Sequence, residues 1–468
     1  MQSRRPAATV VAALLLGACA TQRRVDPDAP IPGQGVAPPA AAAGASTFGE
    51  PAAIYQRMGL LAPAAPVPFV GAVRFVATAR PDSTLALLAV SLQNRALTFV
   101  RDGDRYRAAY EVRAEFRQGG RVARRVEAQQ LVQVASYRET SRGDESVIFQ
   151  QTLPLPPGQY TLSVAVRDGG SARSASQDAA VTVPQLRPAG LATPVIVYEA
   201  TARASADSAP RLVASPRASF TFGRDTAATV YLEGYGAGAS LPVRLTARGD
   251  QGALLWADTV RLAARGGALF SGVVPVPLAP LGVGRVVTLV ASRDDAPATT
   301  SDAPLFVTFG DELPVTTFEE MLSYLRFFGS RARIDALRKA PPTERAAAWG
   351  AFSRATDPTP STPQNEALRD YFQRIALANA RYRDEGGNGW LSDRGRVYVT
   401  VGDPDQIYQQ GGVDMNARGR AQVWEYRAER VQLVFVDQSG FGRWRLTQQS
   451  EAELRALVLR RAPGRGAD

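Results

Sequence analysis

The sequence predicts a multidomain protein with two tandem antiparallel immunoglobulin-like β-sandwiches followed by an α+β C-terminal domain. Its 468 residues are enough for about three domains. Apolar and polar residues alternate with a period of two across residues 66–185 and again across 186–312. After residue 315 the apolar spacing becomes that of amphipathic helices. Runs of strands followed by helices and a small sheet indicate this order of domains.

The N-terminus combines basic residues, a short apolar stretch and a cysteine. Arg4 and Arg5 precede an apolar stretch of about ten residues, too short to span a membrane. The stretch ends at Leu16-Gly17-Ala18-Cys19, which resembles the lipobox of bacterial lipoproteins. Cys19 is the one cysteine in the chain. We therefore expect residues 1–18 to be a signal peptide and Cys19 to be lipidated. No aspartate follows Cys19, which by resemblance favours an anchor in the outer membrane. A cleaved signal with a chance cysteine is the alternative.

Residues 19–48 are interrupted by proline, alanine and glycine and predict an extended tether without a core. A short helix ending near Gly59 is expected next. Strands then follow within 66–185, at 70–77, 85–92, 106–116, 122–133, 147–153 and 160–167, with Gly119-Gly120 forming a hairpin turn. The second sandwich, over 186–312, has predicted strands at 195–202, 218–222, 229–233, 241–248, 254–262 and 286–292.

The C-terminal domain is expected over residues 315–460. Thr317 predicts the start of a helix that presents Met321, Leu322 and Leu325 on one face. Further helices are expected near 332–339, after 342 and, with Thr362 as its cap, over 363–385. Strands at 396–401, 422–427, 431–437 and 443–447 and a final helix from 451 complete the prediction.

Composition limits the chemistry of any site. The chain has no histidine and one cysteine, which excludes Ser-His-Asp and Cys-His hydrolysis, His-ligated zinc and thiolate clusters. No metal or other cofactor is expected. The net charge of +10 comes almost entirely from arginines that are interleaved with acids, so we expect a solvated basic surface and no nucleic-acid partner.

A sequence signature lies in the last third of the chain. It comprises the segments Gly389-Trp390-Leu391-Ser392-Asp393-Arg394-Gly395-Arg396-Val397-Tyr398 and Gly402-Asp403-Pro404-Asp405. Further matches are Asp357-Pro358-Thr359-Pro360, Asn365-Glu366, Trp424-Glu425-Tyr426, Phe435-Val436-Asp437 and Gly440-Phe441-Gly442. Together they resemble the GWxTD-domain family of bacterial envelope lipoproteins. Ser392 stands where the name motif has threonine and retains the hydroxyl. The resemblance implies no established activity.

Two interpretations of this signature remain open. In the first, it is a structural loop and turn in which Trp390 plugs a core and Asp393 pairs with an arginine such as Arg374 or Arg394. In the second, carboxylates and tryptophans line a glycan or peptidoglycan cleft. The residues of that cleft would be Trp390, Asp393, Asp403, Asp405, Trp424, Glu425 and Asp437, with Trp390, Asp393, Trp424 and Asp437 as the leading binding candidates.

The sequence therefore favours a non-enzymatic, lipid-anchored envelope protein that binds an envelope protein or a glycan through its C-terminal domain. The alternative is a carboxylate-dependent glycan or peptidoglycan hydrolase, since glycoside hydrolysis requires two carboxylates and no histidine.

Overall fold

The computed structural model describes residues 22–25, 52–64, 66–140, 147–266, 268–310, 315, 317–329, 331–361, 365–382, 388–410 and 420–461. Strands dominate these residues, and their sheets pack as sandwiches. The chain divides into two compact units, one of residues 46–373 and one of residues 1–45 together with 374–468. The predicted signal peptide and Cys19 lie outside the described residues.

The first described segment corrects part of the tether prediction. Gln22–Val25 form a strand, β1, although they lie within residues 19–48. This strand is stabilised by backbone hydrogen bonding to a neighbouring strand, which requires no apolar side chains. Sequence periodicity therefore gave no signal for it. Residues 26–48 of the predicted tether lie outside the described residues.

The first described element of the unit of residues 46–373 is helix α1 (Ala52–Arg57). It ends just before Gly59, as predicted, and Gly59 has a φ of 74°. The first sandwich follows and has two sheets. The smaller sheet has the order β2 (Phe69–Ala77), β3 (Thr84–Leu92), β7 (Val147–Leu155). The larger contains β4 (Val100–Asp102), β5 (Arg105–Gln118), β6 (Arg121–Val134), β8 (Gly158–Asp168) and β9 (Ser174–Val183). A one-turn helix, α2 (Tyr137–Thr140), follows β6.

The predicted strands of the first sandwich are confirmed, whereas β4 and β9 were not predicted. Leu88 of one sheet and Val112 and Val164 of the other are fully buried in the core between the sheets. The predicted turn at Gly119-Gly120 joins β5 to β6, and both glycines have positive φ.

A buried carboxylate closes one end of this sandwich. Asp168, the last residue of β8, accepts hydrogen bonds from the hydroxyls of Thr98 and Ser171 and from the Arg173 guanidinium at 3.0 Å. Burial alone would raise the pKa of Asp168, but the hydrogen bonds from Ser171, Thr98 and Arg173 outweigh it and lower the pKa to about 2.

Described residues between 195 and 308 form a nine-stranded sheet. In chain order its strands are β10 (Val195–Thr201), β11 (Arg211–Ala214), β12 (Ser219–Thr221), β13 (Ala227–Tyr235), β14 (Ser240–Arg248), β15 (Leu254–Ala264), β16 (Leu269–Pro277), β17 (Arg285–Arg293) and β18 (Thr300–Thr308). Their order in the sheet is β11-β10-β13-β16-β15-β14-β17-β18-β12. β15 and β16 share only the pairs Ala263–Ser271 and Ala264–Phe270, so the sheet is least continuous there. The predicted strands are confirmed, whereas β11, β16 and β18 were not predicted.

The core of the first sandwich extends into the nine-stranded sheet, which also has a separate core of its own. Tyr231, Tyr235 and Leu269 of the nine-stranded sheet belong to the same hydrophobic cluster as Leu88 and Val112. A hydrogen-bonded network reinforces this junction.

The network centres on the ion pair of Arg203 and Glu233, whose side chains are 2% and 0% exposed and 3.1 Å apart. Tyr231 and Tyr235 donate their hydroxyl protons to the Glu233 carboxylate. Ala77 of the first sandwich joins this network through its backbone. The Ala77 carbonyl accepts from the Arg203 guanidinium, and the Ala77 N–H donates to the Tyr235 hydroxyl at 2.7 Å. Burial, followed by the charge of Glu233, raises the pKa of both tyrosines.

Helices α3 (Phe318–Tyr324), α4 (Arg331–Lys339) and α5 (Arg345–Thr356) follow, as predicted. The Thr317 side chain caps α3 by accepting from the Glu320 N–H. Helix α6 (Glu366–Arg381) begins three residues later than predicted. The cap of α6 is Asn365, whose side chain accepts from the Leu368 N–H at 2.9 Å, and Thr362 and Pro363 lie outside the described residues.

In the unit that includes residues 374–468, a five-stranded sheet has the order β1, β19 (Gln406–Gln410), β20 (Arg420–Tyr426), β21 (Val431–Asp437), β22 (Arg445–Leu446). Helices α7 (Asp393–Val401) and α8 (Gln448–Arg461) complete it. The predicted strand at 396–401 is wrong, because these residues belong to α7. The alternation of Val397, Val399 and Val401 suggested a half-buried strand, but all three are buried on a helix enclosed around most of its surface.

Candidate functional site

The signature is a helix start held by backbone contacts. Gly389–Leu391 form a 3-10 turn, and Ser392 caps α7. The Ser392 hydroxyl accepts from the Gly395 N–H at 3.0 Å and donates to the Gly389 carbonyl at 2.7 Å. A helix N-cap requires such an oxygen, which explains why serine can stand in the threonine position of the motif.

Gly389 and Gly395 of the signature are needed for close approach. A Cβ on Gly389 would lie 2.3 Å from the Ala378 carbonyl oxygen of α6. A Cβ on Gly395 would lie 1.8 Å from the Gly389 carbonyl oxygen. The 3-10 turn therefore fits between α6 and α7 because neither glycine has a side chain.

Asp393 joins the start of α7 to β22. Its carboxylate accepts from the Leu446 N–H at 2.8 Å and lies 3.9 Å from the Arg396 guanidinium. The arginine that pairs with Asp393 is thus Arg396, where Arg374 or Arg394 was expected. The Arg374 guanidinium instead donates to the Val399 carbonyl. An acid in the first turn also interacts favourably with the helix dipole.

Arg396 joins α7 to α8. Its guanidinium forms a two-pronged ion pair with Glu451, with one Nη1–Oε1 distance of 3.0 Å. This hydrogen bond raises the pKa of Arg396 and lowers that of Glu451. Glu451 also accepts from Arg455 one turn later in α8.

Arg394 is a buried guanidinium between aromatic rings, a role that the sequence analysis missed. It is 1% exposed and lies 5.5 Å from the Tyr382 ring centre and 5.2 Å from that of Trp444. Arginine stacks on such rings more readily than other cations. Sequence spacing gave no signal for these partners, since Tyr382 and Trp444 are far apart in the chain.

The tryptophans of the predicted cleft belong to the core. Trp390 is 3% exposed, as expected for a plug, and Trp424 is completely buried against Tyr382 and Phe435. Tyr398 is likewise buried and contacts Tyr382. Among the described residues, therefore, neither Trp390 nor Trp424 presents a face that could line the open cleft that was considered.

The carboxylates are used by local structure. Asp403 pairs with Arg381 at 3.0 Å. Asp405 accepts from the Arg427 N–H, and Glu425 accepts from the Tyr408 hydroxyl at 3.2 Å. These contacts connect the segment between α7 and β19 to neighbouring strands and helices. At Gly402 the chain leaves α7 with a φ of 104°, and Pro404 is buried just beyond it.

Asp437, at the end of β21, holds the following loop. Its side chain is fully buried and accepts from the N–H groups of Gly440 and Gly442 and from the Ser439 hydroxyl, all within 2.9 Å. Burial alone would raise the pKa of Asp437, but these hydrogen bonds and the nearby Arg420 charge lower it.

Within the described ranges, no group of three or more Cys, Asp or Glu side chains is arranged to hold a metal ion. In the same part of the chain, no helix is both long and apolar enough to cross a membrane.

Comparison with solved structures finds chains with limited overall similarity. A transglutaminase of red sea bream shares 11% identity over 55% of this chain and 33% of its own, with a TM-score of 0.16. The BSP domain of a biofilm-associated protein shares 7% identity over 51% of each chain, also with a TM-score of 0.16. A β-glucuronidase of Bifidobacterium dentium, complexed with coumarin-3-O-glucuronide, shares 10% identity over 48% of this chain and 39% of its own, with a TM-score of 0.19.

The chain thus spans between a third and about half of the length of these structures. No curated protein matches the chain.

A family model does match the C-terminal part of the chain. It is described as the GWxTD domain and covers residues 294–451. The match begins before β18, earlier than the domain start predicted at residue 315. It also contains the complete signature from Gly389 to Asp405. Residues 294–451 of this protein are therefore a GWxTD domain.

Proposed function

We propose that the protein is a lipid-anchored envelope protein that acts as a non-enzymatic binding or scaffold module. The observation that carries this proposal is the segment Leu16-Gly17-Ala18-Cys19, which follows a short apolar stretch and contains the one cysteine of the chain. Two or more acyl chains on Cys19 would give stable attachment to a bilayer. The absence of aspartate after Cys19 supports the outer membrane as the location.

The sandwiches support a spacer role. An apolar cluster that continues from the first sandwich into the nine-stranded sheet joins them, together with the buried Arg203–Glu233 network, which is typical of domains that do not move independently. We infer that they are immunoglobulin-like modules, that residues 315–460 form an α+β domain, and that the chain belongs with the lipoproteins that carry GWxTD domains.

We assign partner binding to the GWxTD domain, with an envelope protein or a glycan as the partner. The engagement of Asp393, Asp403 and Asp437 in local hydrogen bonds favours binding over hydrolysis, since glycosidases need two carboxyl groups that face a substrate. The buried tryptophans favour an interaction through surface loops.

The lipid anchor is tested by comparing the parent chain with a Cys19→Ser variant. We expect the parent to remain with membranes and to show an acylated N-terminal cysteine by mass spectrometry, and the variant to be released. Equal membrane partition of both chains, or an unmodified thiol in the parent, would contradict the anchor.

The non-enzymatic role is tested by incubating the purified protein with peptidoglycan and soluble glycans. We expect no turnover. Turnover that disappears in an Asp393→Asn variant with an unchanged unfolding midpoint would replace this proposal with the hydrolase alternative.

A further inference from the structure

The loop between β21 and β22 exposes a phenylalanine side chain to solvent. Phe441 is 90% exposed, the highest value among the large apolar side chains in the described ranges. A single exposed apolar side chain is ordinary. Phe441, however, lies at the tip of a loop whose backbone is held in place.

The loop is fixed by the buried Asp437 carboxylate. Gly440 and Gly442 both donate to it and have φ values of 76° and 88°, which only glycine adopts without strain. Arg420 donates to the Gly440 carbonyl. Phe441 is therefore presented by an ordered loop.

The strand register places the start of β1 at the same end of the sheet. Gln22 pairs with Gln410, which pairs with Ala421, which in turn pairs with Val436. Val436 pairs with Arg445 of β22. One row of residues thus runs from the first residue of β1 to the two strand positions that flank the Phe441 loop.

The lipidation site is close to this row in the chain. Cys19 precedes Gln22 by three residues. Three residues span at most about 11 Å. A lipid on Cys19 would therefore hold this end of the sheet near the bilayer surface, whatever path Ala20 and Thr21 take.

The charges around the loop fit a lipid surface. Arg420, Arg443 and Arg445 are exposed. Asp437, the one acid between Val436 and Arg445, is fully buried and lies 3.8 Å from the Arg420 guanidinium. An apolar tip surrounded by arginines matches the boundary between acyl chains and anionic headgroups.

We propose that this end of the C-terminal sheet rests on the bilayer that holds Cys19, with Phe441 inserted at the headgroup level and the arginines facing lipid phosphates. The proposal rests on lipidation of Cys19. It places the GWxTD domain at the membrane, where an extended tether would have held it away.

The test uses the full-length lipoprotein, reconstituted in vesicles of phosphatidylethanolamine and phosphatidylglycerol. Since thioether formation consumes the sole cysteine, Phe441→Cys introduces a unique thiol for an environment-sensitive fluorophore. We expect the emission of the label at position 441 to be blue-shifted relative to the control position, because the label lies at the headgroup level. Nitroxide-labelled lipids in the vesicles should quench this emission, and shallow nitroxides should quench it more than deep ones. The matched control is Ala428→Cys, an exposed position in the turn between β20 and β21 at the opposite end of the sheet. Its label should be unaffected.

A second pair of variants retains the phenylalanine. A label on Gln438→Cys, which is exposed in the same loop, should be quenched, and adding Phe441→Asp should reduce that quenching to the level of the Ala428→Cys control.

Mass spectrometry of Cys19 separates the two possible failures. A lipidated Cys19 with a label at position 441 or 438 no more quenched than at 428 overturns the membrane contact alone. An unmodified Cys19 overturns the anchor and, with it, the contact.

Discussion

Gly395 lies where the first turn of α7 passes the 3-10 turn at Gly389, and its replacement by alanine tests whether this approach of two backbones holds the signature together. The added methyl carbon would lie 1.8 Å from the Gly389 carbonyl oxygen and 2.8 Å from the Trp390 Cα. Contacts of a Cβ atom below 3.0 Å essentially do not occur, so α7 and the turn must separate by about 1 Å.

The expected cost follows from two opposing contributions. Overpacking a well-filled core costs about 1–3 kcal/mol, and this site lies at the upper end because the three atoms nearest to the methyl carbon are backbone atoms of the 3-10 turn. Alanine has a better helix propensity than glycine, which returns about 1 kcal/mol. We therefore expect Gly395→Ala to lower the free energy of unfolding by about 2 kcal/mol or more.

Urea unfolding followed by tryptophan fluorescence measures this change, because Trp390, Trp424 and Trp444 are all buried near α7 or its sheet. With a urea dependence of about 2 kcal/mol per molar, the transition of this unit should shift down by about 1 M. Gly350→Ala is the matched control. Gly350 is also helical, and a Cβ there would meet only the flexible end of Arg354 at 3.4 Å, so this variant should be stabilised by up to about 1 kcal/mol. A Gly395→Ala variant that unfolds at the parent's urea concentration or above would refute the reasoning.

Three further predictions concern stability. Glu233→Gln should lower the free energy of unfolding, measured by urea titration, by about 3–5 kcal/mol, because it leaves the buried Arg203 without its counter-charge. Glu111→Gln, in the exposed pair with Arg113, should lower it by under about 1 kcal/mol. Equal losses would contradict the role given to the buried pair. Ser392→Ala should cost about 0.5–2 kcal/mol through loss of the α7 cap, while Ser392→Thr should stay within about 0.5 kcal/mol of the parent. The pKa of Asp168 is lower in the folded protein than in the unfolded chain, so its contribution to stability is present above about pH 4 and is lost as the pH falls toward 2. In an acid titration, the Asp168→Asn variant should therefore lack this loss of stability between about pH 4 and pH 2. An unchanged acid profile in that variant would show that Asp168 does not contribute.

Patterns of local sequence predicted much of the fold. Period-two alternation located strands such as β5 and β8, because one face of each is buried and the other is solvated. The Thr317 cap and the apolar spacing of Trp349 and Phe352 located helices α3 and α5 for a similar reason. The GWxTD signature was also recognisable, since it lies in short contiguous segments.

The sequence could not predict α7 or β1. Helix α7 is buried around most of its surface, so Val397 and Val399 carry no helical period and their β-branching suggests a strand. β1 is held by backbone hydrogen bonds to β19, which leave no trace in side-chain identity.

The sequence by itself determined the chemical limits of this protein, the alternation that builds its sandwiches and the signature of its C-terminal domain, because each depends on composition or on neighbours in the chain. Only the tertiary structure decided the role of the signature residues. Trp424 is enclosed by Tyr382 and Phe435, and Asp437 is bonded to its own loop, so neither faces outward. Burial is set by what the rest of the chain packs against a residue, and a linear pattern does not contain that information.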